Sequence, residues 1–155
     1  MKQKEIEAAL EALDIRLPDD IAPKGNYALV KEANGLYYLS GCGPFLHGEM
    51  QYLGKVGAEL TAEEAYQAAR LTAVNILGII ANHVAPLSQV RMIKMLAFVA
   101  SAPNFYNQPA VVDGATDLLF QIMGEDALPA RSAVAVPQLP FNSSIEIEVI
   151  VQKTD

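Results

Sequence analysis

Apolar residues recur at helical spacing near the start of the chain. Ile6, Ala9, Leu10 and Leu13 stand at i, i+3, i+4 and i+7. The spacing predicts a short amphipathic helix over residues 3–13, packed on the main body or on a neighbouring subunit. Arg16-Leu17-Pro18-Asp19-Asp20 ends it, and Pro23-Lys24-Gly25 continues the loop. Residues 27–33 and 36–40 then read as two strands. Asn34-Gly35 between them is a type I′ hairpin signal, because both central positions need positive φ. His47-Gly48-Glu49 reads as a loop and residues 52–56 as a short strand.

Thr61-Ala62-Glu63-Glu64 is a capping box, and a long helix is predicted from it to about His83. Its inner face comprises Ala65, Ala69, Thr72, Ala73, Ile76 and Ile80, and Pro86 marks its end. Residues 90–100 are almost continuously apolar and predict a central strand buried on both faces. Pro109 opens a second helix to about Met123. Residues 131–136 and 144–152 are the last strands. In the second, Ile145, Ile147 and Val149 alternate with Glu146, Glu148 and Ile150, so both glutamates share one face. The pattern predicts an α+β fold of two layers, one mixed sheet with both long helices on one face. Association of subunits is the simplest cover for the other face. The chain is expected to be a single domain over 1–155, with 1–24 as a helix-and-loop extension.

Composition narrows the function. The chain of 155 residues is 52% hydrophobic and 19% charged, which is globular and rich enough in apolar residues to suggest burial between subunits. Its net charge of -7, with Arg91, Lys94, Arg131 and Lys153 scattered, argues against nucleic acid as a ligand. No apolar run approaches a membrane span of about 20 residues. The N-terminus is polar, and a cytoplasmic location is expected. Cys42 is the only cysteine, so no intrachain disulfide can form. His47 and His83 lack a second ligand at metal spacing. Gly41-Cys42-Gly43 is not followed by the Gly-Lys-Ser/Thr of a phosphate loop.

The candidate chemistry lies near the C-terminus. Pro129-Ala130-Arg131-Ser132 places one arginine at the mouth of an apolar strand, and Ile145-Glu146-Ile147-Glu148 places a carboxylate on the next. A guanidinium is a planar fork that matches a carboxylate, so the pair reads as an anion clamp beside an acid/base group. The plainer reading of Arg131 is an intersubunit ion pair.

With Leu139-Pro140, the Ser40-Gly41 hairpin end and the Thr61-capped helix, these runs resemble the RidA/YjgF family over roughly residues 25–152. The family was once described as endoribonuclease L-PSP proteins. The resemblance implies a chorismate-mutase-like fold, a homotrimer with sites in clefts between subunits, and no metal or organic cofactor. It implies hydrolysis of enamine/imine intermediates such as 2-aminoacrylate to a 2-keto acid and ammonia. By position, Arg131 is similar to the arginine that grips the substrate carboxylate, and Glu146 to the glutamate that positions or activates water. Tyr27, Ser40 and Gly41 are similar to residues that line the pocket. Ala133 stands where many members have cysteine, and its backbone carbonyl would meet the substrate nitrogen. Asp113 stands where deaminating members often have asparagine, and its charge would disfavour an anionic substrate. Cys42 stands where glutamine is common.

Three functions follow. The first is an imine/enamine hydrolase acting on small 2-imino acids, with Arg131 and Glu146 in one cleft. The second is a non-catalytic trimer that binds a small 2-keto or related carboxylate. The third is a ribonuclease, against which the acidic balance argues.

Overall fold

The computed structural model describes residues 1–154. The chain runs α1 (Gln3–Ala12), β1 (Val30–Ala33), β2 (Leu36–Leu39), β3 (Phe45–Leu46), β4 (Glu49–Met50) and α2 (Ala62–His83). It continues through β5 (Val90–Ala100), α3 (Gln108–Met123), β6 (Ala130–Val136) and β7 (Ile145–Lys153). Five strands form one sheet in the order β1-β2-β7-β5-β6, and β3 and β4 form a separate small hairpin. All sheet neighbours are antiparallel except β5 and β6. That parallel pair is joined by a crossover through α3, the connection parallel strands require. The architecture is the α+β, chorismate-mutase-like fold: a mixed sheet with α2 and α3 on one face and a short N-terminal helix.

Local signals set the long helix. The Thr61 hydroxyl accepts from the Glu64 amide at 3.2 Å, and the Glu64 carboxylate accepts from the Thr61 amide at 2.8 Å. Such a cap contributes about 1 kcal/mol. Ala65, Ala69, Thr72, Ala73, Ile76 and Ile80 are all buried. Small residues let α3 come close. At Gly114 of α3 an added Cβ would overlap the Tyr66 carbonyl oxygen of α2 and lie 2.9 Å from its carbonyl carbon.

Helix α1 packs on its own chain, against α3, and buries Ile6. Its Gln3 side chain accepts from the Ser88 amide at 3.3 Å. The segment after it crosses α2 at Gly78, where a Cβ would stand 2.6 Å from the Pro18 carbonyl oxygen. Asn82 donates to that same oxygen at 3.0 Å. The arm is thereby carried towards the end of β2.

Three expectations are corrected. Residues 52–56 form no strand. Tyr52, Gly54 and Gly57 all have positive φ, and only single bridges form, at Leu53 with Ser143 and at Val56 with Leu60 and Ser101. The regular pairing is instead the β3–β4 hairpin. Its turn residues His47 and Gly48 have φ of 50° and 80°, close to the 55° and 78° of Asn34 and Gly35. The first strand begins at Val30, not at Tyr27, because Tyr27 turns back to donate to the Gly25 carbonyl. Strand β5 is interior to the sheet but is covered fully on one face only. Met92, Met95, Ala97 and Val99 are buried, whereas Lys94, Leu96 and Phe98 on the opposite face are half-buried.

Candidate functional site

A cleft of about 620 Å³ opens beside the end of β2. Its walls include Tyr27, Ser40, Gly41, Cys42 and Glu146. Backbone pairing builds it: the Cys42 amide donates to the Ile147 carbonyl at 2.8 Å, and the Ile147 amide donates back at 2.9 Å. This bridge sets Gly41 directly beside Glu146. A Cβ at Gly41 would overlap the Glu146 carboxylate oxygen and lie 2.8 Å from its Cδ. Glycine at 41 is therefore what leaves room for that side chain.

The supporting groups are structural in part. The Ser40 hydroxyl donates to the Ala28 carbonyl at 2.7 Å, holding the Tyr27 segment against β2. The Tyr27 hydroxyl accepts from the Lys24 amide at 3.1 Å and ties down the arm. Buried Asn75 of α2 donates to the carbonyls of Gly43 and Phe45, at 3.0 and 2.9 Å, and fixes the loop behind the cleft.

Glu146 is half-buried, and among the described residues its carboxylate has no cation at ion-pair distance. Burial raises its pKa above the ordinary 4.5, and the neighbouring Glu148 charge adds to the rise. A raised carboxylate pKa gives stability that is fully present below the ordinary value. It is lost as pH rises through the folded value. Glu146→Gln removes this loss. It is expected to melt about 2 °C above the native protein near pH 7.5, with the gap closing towards pH 4; paired melting curves across that range check it. Cys42 is 8% exposed. Burial first, and the Glu146 charge second, push its thiol up to about 12. The thiol stays protonated at neutral pH and is no nucleophile there.

Arg131 lies elsewhere. Phe98 of β5 pairs with Glu146 on one side and Val134 on the other, so these three side chains project from one face. Arg131 is three residues before Val134 and points to the opposite face, in register with the buried Met95. There its Nη1 donates to Asp113 Oδ1 of α3 at 2.8 Å and to Thr116 Oγ1 at 3.0 Å. This ion pair lies within one chain. Ala133, two residues on, shares that face. One chain thus holds two separate groups of candidate residues. Tyr27, Ser40, Gly41 and Glu146 line the cleft, while Arg131, Asp113 and Ala133 gather at the β6 edge. The expectation of Arg131 and Glu146 in one cleft does not hold within a single chain, because strand register separates them by a face.

The family model described as YjgF/chorismate mutase-like, putative endoribonuclease, matches residues 7–152. The chain belongs to this RidA/YjgF family. Protein TCP17 of Trypanosoma cruzi is 34% identical over 149 residues, which cover 95% of this chain and 93% of the relative. The crystal structure of Atu1372 from Agrobacterium tumefaciens, a protein with unknown function, is 38% identical with a TM-score of 0.89. That match covers 97% of this chain and 94% of that one. A putative endoribonuclease from Shewanella oneidensis MR-1 is 28% identical with a TM-score of 0.90, over 95% of this chain and 98% of that one.

Among the described residues no three His, Cys, Asp or Glu side chains gather as a metal site, and no helix is long and apolar enough to cross a membrane. Sequence reasoning missed Lys24, Phe45, Asn75 and Phe141 as cleft residues. Asn75 alone left a signal, as a polar residue flanked by Val74 and Ile76 in an apolar helix.

Proposed function

We propose that this protein hydrolyses 2-imino acids to 2-keto acids and ammonia, in a cleft completed by a second copy of the chain. The observation that carries the reading is Glu146. It is an unpaired carboxylate of raised proton affinity in an open cleft, which suits a base acting on water. Water adds through oxygen to the imine carbon, and C=N becomes C–N. Glu146 takes the water proton and passes it to the nitrogen. The proton of the new hydroxyl then passes to the nitrogen, again by way of Glu146, the C–N bond breaks, ammonia leaves and the carbonyl forms. An enamine such as 2-aminoacrylate enters after tautomerising to its imine.

The substrate carboxylate falls to Arg131. Its face excludes it from the Glu146 cleft of its own chain, so the clamp comes from a neighbour that lays its β6 edge against the cleft. The uncovered sheet face supports association: Val134 is 41% exposed there, with Leu96 and Phe98 half-buried beside it. A closed ring of three such contacts would form the trimer. Asp113 and Thr116 engage one amino group of the guanidinium, Nη1, which leaves Nη2 for a substrate oxygen.

The test is release of 2-keto acid from enzymatically generated 2-aminoacrylate. Native protein is expected to exceed the spontaneous rate, and Arg131→Ala and Glu146→Gln to lose at least about 100-fold. The native rate is expected to fall on the acid side as Glu146 protonates, beginning above pH 4.5 because its pKa is raised. Rates unchanged in both variants would overturn the assignment. The Asp113–Arg131 ion pair favours a second reading, a keto-acid-binding protein without turnover. Tight keto-acid binding with no hydrolysis of any imine would select it.

A further inference from the structure

Lys24 is a cation that the reading above leaves without a role. The arm brings it to the rim of the Glu146 cleft, which it lines. Its ammonium lies 4.1 Å from the Phe45 ring centroid and 5.6 Å from that of Phe141. The two rings meet edge to face at 6.3 Å. Phe141 is 64% exposed, with φ of 59°, and the next residue, Asn142, is also left-handed at 55°. Two consecutive non-glycine residues in that region carry backbone strain, here in the segment that presents the ring. Among the described residues no carboxylate lies at ion-pair distance from the ammonium, although Asp20 and Glu146 also line the cleft. The rings hold the charge by cation–π attraction. They supply no negative charge to neutralise it.

We propose that Lys24 is a specificity-determining anion receptor, and that the preferred substrate is an imino acid whose side chain ends in a second acidic group. This rests on the hydrolase reading for the reaction and on the cleft alone for the binding. The imine end sits against Glu146. The distal carboxylate reaches the rim and pairs with the Lys24 ammonium between the two rings.

Two measurements on the full chain test it. Calorimetry compares binding of 2-oxoglutarate with 2-oxobutanoate in native protein, Lys24→Gln and Lys24→Arg. Hydrolysis assays compare the imines generated from glutamate and from 2-aminobutyrate by an amino acid oxidase. Native protein is expected to favour the acidic partner about fivefold in both, with the preference shrinking as salt rises. Lys24→Gln is expected to abolish the preference and leave the monocarboxylate within about twofold. Lys24→Arg is expected to keep it. No native preference overturns the proposal. So does a Lys24→Gln loss that falls equally on both ligands, since that would make Lys24 a fastener of the arm or the clamp for the first carboxylate. If no imine is hydrolysed, the hydrolase reading fails, and the calorimetric comparison still decides the role of Lys24.

Discussion

Gly114→Ala is expected to destabilise the protein by about 3 kcal/mol, a fall of roughly 10 °C in melting temperature. An alanine inside a helix ordinarily stabilises by about 1 kcal/mol over glycine. Here sterics reverse the sign. The new methyl would overlap the Tyr66 carbonyl oxygen, which belongs to the backbone of α2 and cannot swing aside as a side chain can. The two long helices must separate, and the core beneath them, including Ile76, Leu118 and Ile122, loosens with them. Thermal melts of the variant beside native protein check this. A variant as stable as native would mean that the helices approach less closely than described.

Gly41→Ala is expected to have the opposite profile, leaving the fold and removing the activity. Its φ is not in the left-handed region, so alanine suits the backbone. The obstruction is the far end of the Glu146 side chain, which is flexible. The carboxylate moves out of its place beside Gly41, at a stability change of less than about 1 kcal/mol. A base displaced by an ångström or more loses its reach to the water, and a fall of about 100-fold in kcat/KM is expected. Full activity with normal stability would show that the position of Glu146 does not matter to the reaction.

The legible parts of this fold are those with local causes. Asn34-Gly35 turned a hairpin because both residues tolerate positive φ. Thr61 and Glu64 satisfied each other within one turn. The alternation of residues 145–150 followed from the strand period alone, and it placed Glu146 on the face away from the helices. The loop at His47-Gly48 was legible, but the hairpin it closes was not, because strands of two residues, Phe45–Leu46 and Glu49–Met50, are too short to show alternation. The predicted strand at 52–56 failed because Tyr52, Gly54 and Gly57 take positive φ.

The candidate site was half legible. Family resemblance picked out Tyr27, Ser40, Gly41 and Glu146, and the structure lines one cleft with all four. It also picked out Arg131 and Asp113, which meet each other and not Glu146. Their separation depends on register across three strands, β7, β5 and β6, that no local pattern records. Lys24 and Phe141 come together from opposite ends of the chain, through the path of an irregular arm across α2. Composition did bear on the uncovered face: a chain 52% hydrophobic leaves Val134 exposed and Leu96 and Phe98 half-buried on one side of its sheet.

The claim that joins these parts is that one chain supplies Glu146 and another supplies Arg131. Mixed oligomers of Arg131→Ala and Glu146→Gln test it, prepared by co-expression with two different affinity tags and purified through both. Each variant alone has no intact cleft. In a trimer that holds both variants, one of the three clefts takes its glutamate from the first variant and its arginine from the second and is whole, so about a third of all clefts are intact. Keto acid release at about a third of the native rate is the expected result. Mixed oligomers no more active than either parent would contradict the account.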